Sequence, residues 1–240
     1  MCYVLTVAMQ KGGVAKTTTA AILAEAAKAK GKRVLALDLD PQANLTFTLK
    51  GNANKTGAYE LITGKANAKD LIQKGIVDII PANMNLITLK SEPGSARRLK
   101  KAIKPLLSDY DFIIIDTPTI EGELLYNALC ASDGLIIPTQ ADIYNIKTIH
   151  QLIEAAKTMQ KANPSLNILG YTITRADTRS IIAKQMQENL KATGLQCLGL
   201  IRNAIVVQEA AALQVSLYEY APKSNPAADY MALYERISKQ

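Results

Sequence analysis

The sequence predicts an α/β protein with a doubly wound, mostly parallel sheet and helices on both faces. Three observations carry that prediction. Short apolar runs alternate with helix-patterned stretches along the 240 residues, as in parallel strands joined by crossover helices. The run Phe112-Ile113-Ile114-Ile115 is continuously apolar, as a strand buried on both faces must be. The first apolar run, Tyr3 to Ala8, passes through a glycine-containing turn into a helix-forming stretch.

Taken in order, strands are expected at Tyr3–Ala8, Arg33–Asp38, Val77–Pro81, Tyr110–Asp116, Gly134–Pro138, Asn167–Ile173 and Leu198–Ile201. Helices are expected near Thr17–Lys30, Ser95–Leu107, Glu123–Ala131, Tyr144–Lys161, Ser180–Ala192, Val206–Leu213 and Pro226–Ser238. Lys50 to Lys74, rich in Gly, Asn and Lys, reads as a surface excursion of short helices. No repeat, low-complexity tract or linker interrupts the pattern, so residues 1–240 are read as one domain. Sheets of this kind bind ligands at the carboxyl ends of their strands. The polar motifs fall there, after the first, second and fourth strands.

Bulk composition narrows the classes. Hydrophobic residues make up 48% and charged residues 20%, ordinary for a soluble globular protein. Aromatic content of 5% with no Trp argues against a base-stacking, single-strand-binding surface. The net charge of +7 fits either a polyanion partner or a lysine-rich solvated surface. Cys2, Cys130 and Cys197 are far apart, which disfavours a disulfide framework or zinc site and fits a reducing compartment. No apolar run approaches the roughly 18 residues of a membrane span. The N-terminal run lacks a basic region and a cleavage site, so it reads as a strand rather than a signal peptide.

Chemistry concentrates in Gln10-Lys11-Gly12-Gly13-Val14-Ala15-Lys16-Thr17-Thr18. Strand, glycine turn, Lys-Thr and helix is the layout of a phosphate-binding loop. Glycines let several backbone N–H groups converge on one anion, and the helix contributes its positive end. Lys16 supplies a cation to β- and γ-phosphates and Thr17 a hydroxyl to Mg²⁺. The pattern G-x-x-x-x-G-K-[ST] is not met in full: Gln10 and Ala15 stand at its glycine positions, and a second lysine, Lys11, lies ahead. Asp116 ends a hydrophobic strand, the arrangement that holds Mg²⁺ beside such a loop. Asp38 and Asp40 end another strand, where a carboxylate can orient and deprotonate an attacking water. The plainer alternative is that Asp38 caps a turn begun by Asp40-Pro41.

These motifs resemble the deviant Walker A ATPases of the ParA–MinD family, ParA/Soj branch. The loop Gln10–Thr19 looks like the family's first motif, Asp38-Leu39-Asp40-Pro41-Gln42-Ala43-Asn44 like its second, and Ile114-Ile115-Asp116-Thr117-Pro118 like its Walker B. Further similar segments are Ile79–Asn83, Arg98–Ala102, Ile137–Gln140 and Glu219–Asn225, in family order along nearly the whole chain. The resemblance implies a P-loop NTPase fold with ATP and Mg²⁺ as cofactors. It implies that Lys11 reaches the phosphates of a partner subunit across a nucleotide-sandwich homodimer. Lys11, Lys16 and Asp40 become the catalytic residues, and Thr17, Asp38 and Asp116 the Mg²⁺ shell. Lys11, Gly12, Gly13, Val14, Ala15, Lys16, Thr17 and Thr18 cradle the nucleotide. Arg175 and Asp177 either close the nucleoside pocket or form a capped turn. The function so implied is a cytoplasmic, nucleoid-associated switch for DNA partition or segregation. It dimerises on ATP, binds duplex DNA without sequence preference, and hydrolyses ATP slowly when a centromere-binding, ParB-like protein stimulates it. Positioning of a protein cargo, or nucleotide binding with little turnover, are the alternatives.

Two departures from the family pattern stand out. The residue before the Walker lysine, normally glycine, is Ala15, whose methyl crowds the loop and disfavours positive φ. The late Arg-Asn-x-Arg loop keeps Arg202 but not its second arginine, and the glycine usual after the following helix is missing from Ala212-Leu213-Gln214-Val215. Candidate DNA contacts are therefore Arg179, Lys184, Arg202 and Lys223. The cations of Arg97–Lys104 are equally the solvated side of an amphipathic helix with Leu99, Ile103 and Leu106 inward. No helix-turn-helix precedes the first strand, so site-specific DNA reading is not expected. No membrane-targeting helix follows the last one, so a membrane partner is not expected either. The single histidine, His150, is read as structural.

Overall fold

The computed structural model describes residues 2–142, 145–176, 185, 188–190 and 194–239. Among them, seven strands form one parallel sheet. They are β1 (Tyr3–Val7), β2 (Val34–Asp38), β3 (Asp78–Ile80), β4 (Phe112–Asp116), β5 (Gly134–Thr139), β6 (Asn167–Ala176) and β7 (Cys197–Arg202). Their order is β3-β2-β4-β1-β5-β6-β7. The described helices are α1 (Lys16–Ala29), α2 (Asn44–Thr48), α3 (Ala58–Thr63), α4 (Arg98–Ile103), α5 (Glu123–Ala131), α6 (Asn145–Gln160), α7 (Val206–Ala212), α8 (Leu217–Tyr220) and α9 (Asn225–Ile237).

Strands β2, β4 and β5 are buried at every residue, which is why their sequences are apolar without alternation. One face of the sheet is covered by α1 and α9, with Leu5, Val7, Ile114 and Phe112 meeting Ala20, Leu23, Tyr230 and Tyr234. Alanines at 20, 21, 24, 26 and 27 leave α1 slim and almost fully buried. Opposite, Leu35, Leu37, Ile113 and Ile115 pack under Leu61, Leu99 and Ile103. Beyond β1, Leu135, Ile137 and Tyr171 meet Ile149 and Leu152 of α6. The inner strand ends are level: Val7 pairs with Asp116, and Asp38 pairs with Asp116. The parallel register therefore delivers the motif residues to one edge of the sheet.

The helix expected over Ser95–Leu107 is broken. A 3₁₀ turn over Ser95–Arg97 leads into α4, and a second over Lys104–Leu106 follows it. Pro105 lacks the N–H that would bond the Lys101 carbonyl. Leu99, Ile103 and Leu106 are buried, Arg98 pairs with Glu92, and Lys100 donates to Asn163 Oδ1. The stretch is amphipathic, its apolar residues turned inward. Most of the helix expected over Ser180–Ala192 lies outside the described residues.

Glu25, near the middle of α1, is buried at 4% exposure, and its Oε2 accepts from Ser216 Oγ at 2.9 Å and Leu217 N at 2.8 Å. It ties α1 to the start of α8. Burial pushes its carboxyl up to about 7, against the lowering effect of those two bonds.

Candidate functional site

The loop after β1 ends in an unusual backbone. Gly13 has φ 79°, and Ala15 has φ 60° and ψ 33°, the left-handed conformation. The expected resistance of a methyl-bearing residue to these angles is real, about 1 kcal/mol or somewhat more, yet Ala15 adopts them. Contacts from distant strand ends hold the loop in place. Gln140 Nε2 donates to Gly13 O at 2.8 Å, and Thr174 Oγ1 donates to Val14 O at 2.9 Å. Ala15 O accepts the Thr19 amide at 2.8 Å, opening α1. Among the described residues no side chain caps that helix, and no acid sits in its first turn. Its leading N–H groups have no partner within the helix, so an anion is their natural acceptor. A methyl placed on Gly12 or Gly13 would meet nothing within 4 Å, so the mouth of the loop is open space.

Asp38 and Asp116 are both fully buried but differently engaged. Asp38 Oδ1 accepts the Asp40 amide at 3.0 Å, while Oδ2 accepts Thr46 N at 2.8 Å and Thr46 Oγ1 at 2.7 Å. Both Asp38 oxygens thus shape the turn and anchor α2. Asp116 Oδ1 accepts the Thr117 amide at 3.1 Å. Its Oδ2 is buried with no hydrogen-bond partner among the described residues, which is costly for a carboxylate. Burial pushes the Asp116 carboxyl up to about 7, with Lys16 pulling it down, Asp38 pushing it up and the Thr17 hydroxyl pulling it down. An orphaned carboxylate oxygen beside a threonine hydroxyl is an oxygen donor set that suits a hard cation such as Mg²⁺. Lys16 is buried at 7% exposure within the same site.

Asp40 is half-buried, its Oδ1 accepting the Gln42 amide at 3.0 Å. It lines a groove of 440 Å³ with Ile87, Pro118 and Ile120. Lys11 does not turn toward Lys16's cradle. Its Nζ pairs with Asp142 at 2.6 Å, both side chains more than a third exposed. Behind the loop, a pocket of 270 Å³ is lined by Ala15, Thr18, Arg175, Arg202, Gln208 and Tyr230. Arg175 is exposed with φ 50°, while Asp177 lies outside the described residues.

The DNA-facing candidates are dispersed. Arg179 and Lys184 lie outside the described residues. Lys223 is exposed in the turn before α9. Arg202 makes an internal tie: its Nε and Nη2 donate to Asp229 Oδ2 and Oδ1 at 2.9 and 2.6 Å. His150 is exposed on α6 and lines a groove with Glu121, Tyr126 and Glu154. Among the described residues no cluster of three metal-ligating side chains is formed, and no helix is long and apolar enough to cross a membrane.

A phosphate loop feeding a buried helix N-terminus, beside an acid ending the neighbouring strand, defines a P-loop nucleotide-binding protein. Comparison with known proteins sharpens that class. A family model described as an AAA domain matches residues 2–168. The chain is 33% identical over 248 residues to the sporulation initiation inhibitor protein Soj of Bacillus subtilis, covering 98% of each. It is 32% identical to the chromosome-partitioning ATPase Soj of Thermus thermophilus, covering 97% of this chain and 94% of that one. A solved cobyrinic acid a,c-diamide synthase from Mycobacterium smegmatis, with bound ATP analogue and magnesium, superposes with TM-score 0.89 at 29% identity, covering 100% of this chain and 95% of that one. The chain belongs to the ParA/MinD family of ATPases. Its loop and orphaned carboxylate suit the ATP and Mg²⁺ of that fold.

Several contributors to the site were not foreseen. Gln140 and Thr174 clamp the loop, Asp142 holds Lys11, and Thr46 anchors Asp38. Thr46 alone is close in sequence to its partner. The others act across more than a hundred residues, where no local pattern signals the contact.

Proposed function

We propose that this chain is an ATP-dependent partition switch: a nucleotide-sandwich homodimer when ATP is bound, holding duplex DNA without sequence preference, and slow to hydrolyse until a centromere-binding partner stimulates it. The observation that carries this reading is the division of labour between the two lysines. Lys16 is buried against the site acids, whereas Lys11 faces outward and is held by a surface pair with Asp142. A cation already committed to its own loop does not need a twin. One poised at the surface suits a partner's phosphates.

In this reading Lys16 and the α1 amides bind and orient the phosphates. Thr17 and Asp116 hold the Mg²⁺, which supplies charge neutralisation when bound. Asp38 keeps the Asp40 turn in shape, and Asp40 orients the attacking water and accepts its proton. Ala15, Arg175 and Tyr230 wall the nucleoside. The whole of residues 1–240 acts as one ATPase domain in the cytoplasm, associated with the nucleoid through its net positive charge.

Sedimentation with ADP and with ATP, each with and without duplex DNA, tests the proposal. A dimer with ATP, a monomer with ADP, and DNA co-sedimentation only with ATP are expected. A monomer under all conditions would overturn it. Phosphate release with DNA and partner present distinguishes a switch from a module that binds without turnover.

A further inference from the structure

Helix α7 ends in a Schellman closure, with Val215 N bonded to Ala210 O at 3.0 Å and Gln214 N to Ala211 O at 3.1 Å. Such a closure places one residue in the left-handed region, usually glycine. Here that residue is Gln214, at φ 54°. A side chain at a position that favours its absence calls for a reason, and the geometry offers one. Gln214 Nε2 donates to Phe47 O at 2.6 Å. That carbonyl lies in the last turn of α2 and also accepts the Lys50 amide at 3.1 Å, so the Gln214 bond fills its second acceptor position and reaches it from another helix.

Helix α2 needs such support. It has five residues, too few to persist alone. Leu45 is buried beneath it, but the Phe47 side chain is 56% exposed. Its other polar anchor is Thr46, whose amide and hydroxyl bond Asp38, which in turn bonds the Asp40 amide. At the far side, α7 contributes Val207, Gln208 and Ala211 to the pocket behind the loop. Gln214 thus joins the wall of the nucleoside pocket to the helix that shapes the Asp40 turn.

We propose that Gln214 is a positioning residue for hydrolysis, strapping α2 to α7 so that the Asp40 turn is held in register with the nucleoside pocket. This rests on the reading of Asp40 as the water-orienting group. The test uses three variants of the full chain. Gln214→Glu keeps the size but removes the donor; Gln214→Lys keeps a donor; Asp40→Asn is the control. Amide exchange of residues 44–48, ATP affinity and turnover are measured for each. Gln214→Glu is expected to speed exchange at 44–48 about tenfold and to lower kcat about fivefold, with ATP Kd within about twofold of the parent. Gln214→Lys restores both. Unchanged exchange and kcat in Gln214→Glu overturn the proposal. So does a Kd that weakens in step with kcat, since that assigns Gln214 to the nucleoside pocket alone. Full turnover in Asp40→Asn refutes the reading of Asp40 and with it the link to hydrolysis, while the exchange data still decide whether Gln214 holds α2.

Discussion

Asp38 and Asp116 are register partners on adjacent parallel strands, both wholly buried, yet one has every oxygen engaged by the protein and the other does not. The difference arises from α2, which folds back to offer Thr46 to Asp38. Among the described residues nothing equivalent folds over Asp116 Oδ2. The two acids therefore differ in how far the protein itself satisfies them.

Removing the Thr46 hydroxyl should reveal the frame. Thr46 Oγ1 donates to Asp38 and accepts the Ala82 amide at 3.0 Å. Thr46→Val leaves a buried carboxylate and a buried amide each short of a partner. A loss of about 2–4 kcal/mol is expected in urea unfolding. Turnover should fall while ATP still binds.

Ala15→Gly should relieve backbone strain. Glycine adopts φ 60° freely, but loses more entropy on folding. The balance is a gain of roughly 0.5–1 kcal/mol, read as a higher urea midpoint. Titration calorimetry with ATP·Mg should show affinity no weaker than the parent. Weaker binding would mean that the methyl, rather than the backbone angle, serves the nucleotide.

Lys11→Ala separates the two lysines. The exposed pair with Asp142 is worth about 0.2–1 kcal/mol at most, so the fold is little affected. ATP binding to the single chain should stay within about threefold of the parent. The ATP-dependent dimer should disappear in sedimentation. Lys16→Ala, in contrast, should abolish binding itself.

Glu25 sets a pH dependence. Its carboxyl is raised from 4.5 to about 7 in the folded chain. The folded state therefore binds more protons than the unfolded state between these values. Stability must fall as pH rises through that window, and it is greatest below it. Glu25→Gln keeps an acceptor for Ser216 and Leu217 but removes the charge. It should raise the unfolding free energy at pH 8, read from urea titration, by about 1–3 kcal/mol, and leave stability at pH 4 nearly unchanged. A variant as pH-sensitive as the parent would assign the titration to another group.

Much of the fold was legible because its signals are local. Phe112–Ile115 is apolar because both faces are covered, and a strand of that composition has few other stable places. The loop was legible for the same reason: its amides, glycines and lysine act within one turn of chain. The break at Pro105 was equally local, and the continuous helix expected there overlooked a residue that cannot complete the ladder. The partner of Arg202 was not legible, because a basic residue in a family loop says nothing of the acid beside it. Asp229 arrives from α9, and only the packing of α9 on β7 creates the pair.

The sequence by itself determined the parallel sheet, the phosphate loop at its edge, and the acids that end β2 and β4. Those properties follow from side-chain periodicity and from backbone geometry within a few residues. The tertiary structure decided how far the protein itself satisfies each acid, that Ala15 holds the left-handed turn, and that Gln214 reaches α2. Each depends on hydrogen bonds whose partners are placed by other elements, such as Gln140 on Gly13, Thr174 on Val14 and Gln214 on Phe47. A hydrogen bond needs its donor and acceptor about 3 Å apart, and across such separations in the chain only the packed core brings them there.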